Sequence, residues 1–368
     1  MTTPGRAPEG SDPGPAGAPR WDRVLVFAIG SLGDTVLSVP ALVALRDHIG
    51  PEATVTLLHN RSANDRVAPT AVIPPGLVDD VVAFPSPGAG AAATARRLVG
   101  LAALVPRLRR RRFDAAVNLA LSDRSARSLR QDRTFYRACG IRTLVGVEPE
   151  VPGRPEAEAR LARLARAGVP ADLGDGPWLV PPPDRVAEAE AWRRAHAPLE
   201  GAPIATVVTG TLMDAKRWPF DRWGELGRRL HERGLVPVVV GGPADRAEGD
   251  ALVSAWGAGA NAAGALEPLA SAALLAGALI HVGTDTGTSH LAGAVGTPVV
   301  ALFSHRAPIA QWTPMGAGHQ VVDHPVPCAG CLAVTCPVAG HPCMTGITVD
   351  QAWAGVERVL ADHPVPTR

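Results

Sequence analysis

Apolar runs recur along this chain, and each is followed by a glycine-rich or polar turn and then an amphipathic stretch. The first run covers residues 24–29 and ends at Gly30-Ser-Leu-Gly-Asp34. Behind it Val36, Leu37, Val39, Leu42, Val43 and Leu45 recur at helical spacing, so the segment reads as strand, tight turn, helix. Pro40 lies inside that helix and predicts a kink or a late start. Further short buried strands are predicted over 53–58, 78–84 and 115–119, with another at 145–147. Helical patterns cover 91–112, near 156–167, and 184–196.

A second block repeats the logic of the first. Strands are predicted at 204–208, 236–240, 279–282 and 298–303. Helices are predicted at 220–233, after the turn 241–245, at 269–276 and after the polar segment 284–290. Strands alternating with helices imply parallel sheets. Two such blocks, joined by a Pro-rich bridge near Pro181-Pro-Pro183, predict an α/β protein of two Rossmann-like domains facing a cleft. The boundaries read as a disordered lead over 1–20, a first domain over 21–183, a second over 184–347, and a terminal helix and tail over 348–368 that packs back.

Length and composition narrow the class. The 368 residues can bury two cores, and 46% hydrophobic against 19% charged content is globular. Net charge is +1, which disfavours a nucleic-acid partner and leaves at most peripheral membrane contact. The first 20 residues lack the apolar core of a signal peptide, and no stretch is long enough to span a bilayer, so a cytoplasmic location is expected.

The basic residues are unevenly chosen. Of 36 Lys+Arg residues, only Lys216 is lysine. The excess of Ala, Gly, Pro and Arg fits a GC-rich genome, so Lys216 marks a site where a compact ammonium is not replaceable by a guanidinium fork. The bland alternative is chance survival on a helix surface. Lys216 follows the apolar run 204–208, where an open α/β sheet presents ligand contacts.

Neither half carries a dinucleotide fingerprint or a P-loop, which disfavours the usual NAD or ATP chemistry. The richest donor set is Thr284-Asp285-Thr286-Gly287-Thr288-Ser289-His290, between a buried strand and a helix of small residues. Backbone N–H groups at that helix start, with the hydroxyls, make an anion site; otherwise the segment is an elaborate N-cap. Asp34 has two readings as well: an N-cap, or a general base facing the cleft. Arg107 to Arg112, with Arg124, Arg127, Arg130, Arg133 and Arg137, reads as solvated helix faces or as a surface for an anionic acceptor or membrane. Cys328-x2-Cys331-x4-Cys336-x6-Cys343 is compatible with a structural zinc and equally with reduced or locally paired thiols, while Cys139 reads as a core residue.

Taken together these pieces resemble glycosyltransferase family 9, the ADP-heptose heptosyltransferases. The resemblance is carried by the opening strand with its Ser31-Leu-Gly-Asp34 turn, by Asp214-Ala-Lys-Arg-Trp-Pro219, by Asp285-Thr-Gly-Thr-Ser-His290 with the following helix and strand, and by the cysteine-rich tail ending Cys343-Met-Thr-Gly-Ile347. It implies a two-Rossmann, type B glycosyltransferase fold and an inverting transfer that needs no metal or other cofactor. It also implies an ADP-sugar donor and a glycan or small-molecule acceptor, whether lipid A core, cell-wall or natural product. In the family's pattern Asp34 matches the general base and Lys216 the lysine that meets the donor phosphates. Thr211, Asp285, Thr286, Gly287, Thr288 and His290 match the diphosphate-binding positions. Leu266 falls near the adenine contact, and Asp245 is the candidate for the ribose contact. Two departures stand out: Leu212 where some members carry threonine, and Ser304-His305-Arg306 after the strand at 298–303. A nucleotide-sugar epimerase on the same fold and a non-catalytic nucleotide-sugar-binding partner are the alternative readings.

Overall fold

The computed structural model of the chain describes residues 20–61, 68–85, 91–150, 153–196 and 199–366. The lead expected to be disordered falls, apart from Arg20, outside the described residues.

Two parallel sheets carry the molecule. The first comprises β1 (Arg23–Ala28), β2 (Thr54–Arg61), β3 (Asp80–Pro85), β4 (Ala115–Asn118) and β5 (Thr143–Val145), in the order β3-β2-β1-β4-β5. The second comprises β6 (Ile204–Val208), β7 (Val236–Val239), β8 (Ala260–Asn261), β9 (Ile280–Thr284), β10 (Val299–Phe303) and β11 (Gln320–Asp323), in the order β11-β10-β9-β6-β7-β8. β6, β9 and β10 are buried along their whole length, as strands covered by helices on both faces must be. This is why β10 reads as an unbroken apolar run and β6 as one interrupted only by Thr206, while β9 also buries His281 and Thr284.

In each sheet the strand order reverses beside the first strand. The switch points lie between β1 and β4 and between β6 and β9. Open α/β sheets bind ligands outside the carboxyl ends of strands at such points. The Gly30–Asp34 turn leaves β1, the 209–216 segment leaves β6 and the 284–290 segment leaves β9, so the sequence-derived candidates start from both switch points.

The amphipathic stretch behind β1 is two helices, Leu32–Val36 and Val39–Ile49. Pro40 sits in the first turn of the second, where its missing N–H removes no helical hydrogen bond. Residues 126–138, where the pattern showed only a basic stretch, form a helix capped by Ser125, whose Oγ accepts from the Ser128 N–H at 3.2 Å. The terminal helix Val349–Asp362 packs on the second sheet, against β9, β10 and β11 and the helix Phe220–Glu232.

The two halves touch. One apolar cluster joins Val36, Leu37, Val39 and Ala157 to Leu291, Ala294 and Met315. The short helix Leu32–Val36 lies directly against the helix Gly287–Ala294. Among the described residues no helix is long and apolar enough to cross a membrane.

Candidate active site

The turn after β1 is built around Asp34. Its Oδ2 accepts from the Ser31 N–H at 2.6 Å and from Ser31 Oγ at 3.0 Å, so the N-cap is Ser31 rather than Asp34, and Asp34 closes a capping box from the third helical position. Gly30 is required there: its φ is +132°, and a Cβ would come within 2.2 Å of Asp34 Oδ2. The other oxygen, Oδ1, is buried and has no hydrogen-bond partner. One carboxylate thus holds its turn with one oxygen and leaves the second uncommitted.

From the second half come Lys216, Asp285 and His290. Lys216 ends a single 3₁₀ turn, Asp214–Lys216, and its Nζ lies 2.6 Å from Asp285 Oδ2 and donates to the Asp285 carbonyl at 3.1 Å. Asp285 Oδ1 faces His290 Nε2 at 3.4 Å. Asp285 is nearly enclosed; burial alone would raise its pKa, but His290 and Lys216 hold it down to about 2. The carboxylate is therefore ionised throughout the neutral range. An ammonium has three N–H donors, and Asp285 engages two of them. The third remains for a ligand oxygen.

His290 Nδ1 is buried without a partner, and the ring stands 6.4 Å from that of Trp312. Thr286 caps the helix Gly287–Ala294 in extended conformation, and its side chain makes no capping bond to a helix N–H. The first N–H groups of that helix thus lack the side-chain acceptor that an N-cap usually provides.

Beneath this loop runs a buried relay. Thr206 Oγ1 and His281 Nδ1 are 3.0 Å apart, His281 Nε2 and Ser289 Oγ 3.2 Å, and Ser289 Oγ donates to the Thr284 carbonyl at 2.7 Å. Burial pushes the His281 pKa down to about 3, so the ring is neutral. A Cβ on Gly283 would meet Ser289 Oγ at 2.7 Å, so the strand needs glycine at that point.

The halves meet at glycine. A Cβ on Gly33 would stand 3.1 Å from His290 Cδ2 and 3.2 Å from Gly287 Cα; one on Gly287 would stand 2.8 Å from Leu32 Cδ2. The Asp34 turn and the Asp285–His290 loop are thus brought together, with Lys216 attached through Asp285. The remaining candidates lie around this centre. Thr288 is half-buried in the first turn of the same helix. Thr211 Oγ1 accepts from the Met213 N–H at 3.2 Å and so shapes the loop that carries Lys216. Asp245 Oδ2 accepts from the Gly242 N–H at 2.8 Å, and the side chain packs against Gly210 and Gly241. Leu266 is partly buried against the core.

The cysteine segment is a brace for Lys216. Ala215 donates its N–H to the Val334 carbonyl at 2.9 Å, and its own carbonyl lies 3.1 Å from His341 Nε2. Arg306, one of the sequence departures, donates to the carbonyls of Ala333 and Leu332 at 2.8 and 2.9 Å. Cys328, Cys331, Cys336 and Cys343 are free thiols lining one small pocket with His305 and His341. Among the described residues no group of three or more His, Cys, Asp or Glu side chains is arranged to hold a metal ion. Cys139 is buried, as expected, which pushes its thiol up to about 11.

Several residues at the site carry no motif. Glu156, Arg160 and Gln311 support the Asp34 turn from behind, and Asp123 lies on the loop after β4. Burial, with the charges of Glu156 and Asp34, raises the Asp123 carboxyl. Its place just after a strand at the switch point is the one signal that could have found it.

Residues 179–341 match the sequence profile described as glycosyltransferase family 9 (heptosyltransferase). Lipopolysaccharide heptosyltransferase 1 of Pseudomonas aeruginosa is 37% identical over 141 residues, which are 37% of this chain and 38% of that protein. The chain therefore aligns with well under half the length of this curated relative. Among solved structures, a family 9 glycosyltransferase from Veillonella parvula superposes with a TM-score of 0.69 at 17% identity, covering 93% of this chain and 98% of that one. An Escherichia coli heptosyltransferase solved with ADP gives 0.59 at 18% identity, covering 92% and 99%. The profile covers the half that holds Lys216 and the 284–290 loop, and the solved structures superpose over both halves, so the second half of the chain is similar to family 9 glycosyltransferases and the whole chain shares the fold of those structures.

Proposed function

We propose that this protein transfers a heptose, or a closely related sugar, from an ADP-sugar to an acceptor hydroxyl, with inversion at the anomeric carbon and without a metal ion. The observation that carries this reading is the meeting of the Asp34 turn with the Lys216–Asp285–His290 group at the Gly33–Gly287 contact.

The chemistry follows from the placement. The donor diphosphate lies at the start of the helix Gly287–Ala294, where backbone N–H groups and the hydroxyls of Thr286 and Thr288 face it. Its adenosine end runs toward the 241–245 turn and Leu266, which share that side of the second sheet. Asp34 Oδ1 accepts the proton of the acceptor hydroxyl. The acceptor oxygen bonds to the anomeric carbon as the bond from that carbon to the phosphate oxygen breaks. Attack opposite the leaving group inverts the centre. Charge grows on the departing diphosphate, and the third N–H of Lys216 and the helix N–H groups stabilise it as it grows. A fixed ammonium does the work of a divalent cation here.

The test is mass spectrometry of products after incubation with ADP-heptose and a panel of acceptors: lipid A core, cell-wall glycan fragments and hydroxylated small molecules. The reading expects one acceptor to gain a heptose with equimolar ADP release, undiminished by EDTA. ADP-heptose left intact with every acceptor, or converted to a new sugar nucleotide with no acceptor present, contradicts it.

A further inference from the structure

The helix Glu156–Arg166 turns charged residues inward. Glu156, Arg160 and Arg163 lie on one face at i, i+4 and i+7, and their exposures are 0%, 0% and 3%. Every partner of these three side chains lies near the carboxyl end of a strand, in the loop that joins this helix to β5, or across the contact between the halves. Arg163 Nη1 donates to the carbonyls of Asn118 and Ala120 at 2.9 and 2.5 Å, and Arg163 Nε to Glu150 at 3.1 Å. Glu156 Oε1 accepts from the Ser122 N–H at 3.0 Å, from Ser122 Oγ at 2.5 Å and from Gln311 Nε2 at 2.7 Å. Gln311 belongs to the second half. One turn along, Arg160 Nη1 donates to the Asp34 carbonyl at 2.5 Å and to Ser38 Oγ at 2.8 Å.

This is not an arrangement optimised for stability. Arg160 Nε stands 3.6 Å from Glu156 Oε2, beyond hydrogen-bond distance, and both Nε and Nη2 are buried without a partner. Buried ion pairs with unsatisfied donors are poor stabilisers compared with apolar packing. The pair instead forms a connection. One residue grips the backbone of the Asp34 turn, and its helical neighbour grips a side chain from across the contact between the halves.

We propose that Glu156 and Arg160 are positioning residues that couple the approach of the second half, sensed through Gln311, to the placement of the Asp34 carboxylate. When Gln311 withdraws, Glu156 loses a donor inside the protein and turns toward the unsatisfied Nε and Nη2 of Arg160. The guanidinium follows and releases the Asp34 carbonyl. The backbone of the turn that carries the carboxylate thus keeps its anchor on Arg160 only while the halves are together. This inference rests on the reading of Asp34 as the base.

The test uses the full chain with ADP-heptose and the best acceptor of the panel above. Gln311→Leu and Arg160→Met are each expected to lower kcat roughly tenfold, as a misplaced catalytic group does, with the ADP-heptose Kd from calorimetry unchanged. The double variant is expected to be no worse than the worse single one, because both cut the same connection. Arg160→Lys is expected to recover most of the loss, since an ammonium can still reach the Asp34 carbonyl and Ser38. Wild-type kcat in Gln311→Leu, fully additive losses, or loss without rescue by lysine overturns the inference. Asp34→Asn separates the two claims. If it retains turnover, the base assignment fails. If it is inactive while Gln311→Leu and Arg160→Met turn over normally, the base stands and the coupling falls.

Discussion

Lys216 and Asp285 form a 2.6 Å ion pair, side chain to side chain, between residues 69 positions apart in the chain. The pair is 15% and 7% exposed, so solvent screens it little. It fixes the only lysine of the chain beside the start of the helix Gly287–Ala294. Asp285 is a positioning carboxylate here, and Lys216 keeps one N–H to spend.

Substituting this lysine discriminates between charge and geometry. Lys216→Ala is expected to lower kcat by about 10²–10³, the range for removal of one fixed donor to a developing anion. Lys216→Arg is expected to stay well below wild type, because a planar fork cannot occupy the point contact on Asp285 Oδ2 and the Asp285 carbonyl together. Steady-state ADP release measures both. Wild-type turnover in the arginine variant contradicts the role given to the ammonium.

The neutral His281 predicts an acid lability in a particular window. Its folded pKa, about 3, lies below the unfolded value of about 6.5, so the unfolded chain binds the extra proton between these pH values. The native state is therefore unaffected by this group above pH of about 6.5, and it loses stability as pH falls below that, by about 1.4 kcal/mol per pH unit. Denaturant unfolding of wild type and His281→Gln at neutral and mildly acidic pH checks this. The stability advantage of wild type is expected to shrink by about 2 kcal/mol between pH of about 7.5 and 5. An advantage that is the same at both pH values contradicts the buried, neutral ring.

The contact between the halves predicts a steric effect at one atom. A Cβ at position 287 would meet Leu32 Cδ2 at 2.8 Å and the Gly33 backbone nitrogen at 3.0 Å. Gly287→Ala is expected to separate the Asp34 turn from the second half. Overpacking of this kind costs about 1–3 kcal/mol where a core cannot shift, and parting of the halves at this contact is the expected way of relieving it. The expected signature is thus a kcat loss of roughly tenfold with little change in melting temperature. A variant with wild-type kcat contradicts the close approach.

Much of the fold was legible because its strands are buried on both faces. Residues 204–208 read as an apolar run for the same reason that they lie inside a parallel sheet. The turns were legible through glycine: Gly30 and Gly33 lead into Asp34, and the 284–290 hydroxyl cluster stands where a strand meets a helix. The helix Ala126–Ala138 was not legible, since its arginines, recurring at short spacing, leave Leu129 and Tyr136 as the only fully buried residues on its apolar side. Glu156 and Arg160 were invisible for a deeper reason. On a helical pattern they look like the solvated face, and only the tertiary arrangement turns that face inward. The pairing of Lys216 with Asp285 was equally hidden, because nothing local joins two segments on neighbouring strands β6 and β9. The cysteine spacing was compatible with a metal and equally with reduced thiols; in the structure the thiols are free, and the segment holds Ala215 beside Lys216 from both its N–H and its carbonyl.

The central claim is that a carboxylate from the first half and an ammonium from the second act on one sugar between them. The most direct measurement is acceptor-dependent ADP release from ADP-heptose by wild type and Asp34→Asn, with donor binding followed in parallel by calorimetry. The asparagine variant is expected to bind the donor as wild type does and to lose at least about 10²-fold in turnover. Undiminished turnover by Asp34→Asn would contradict it.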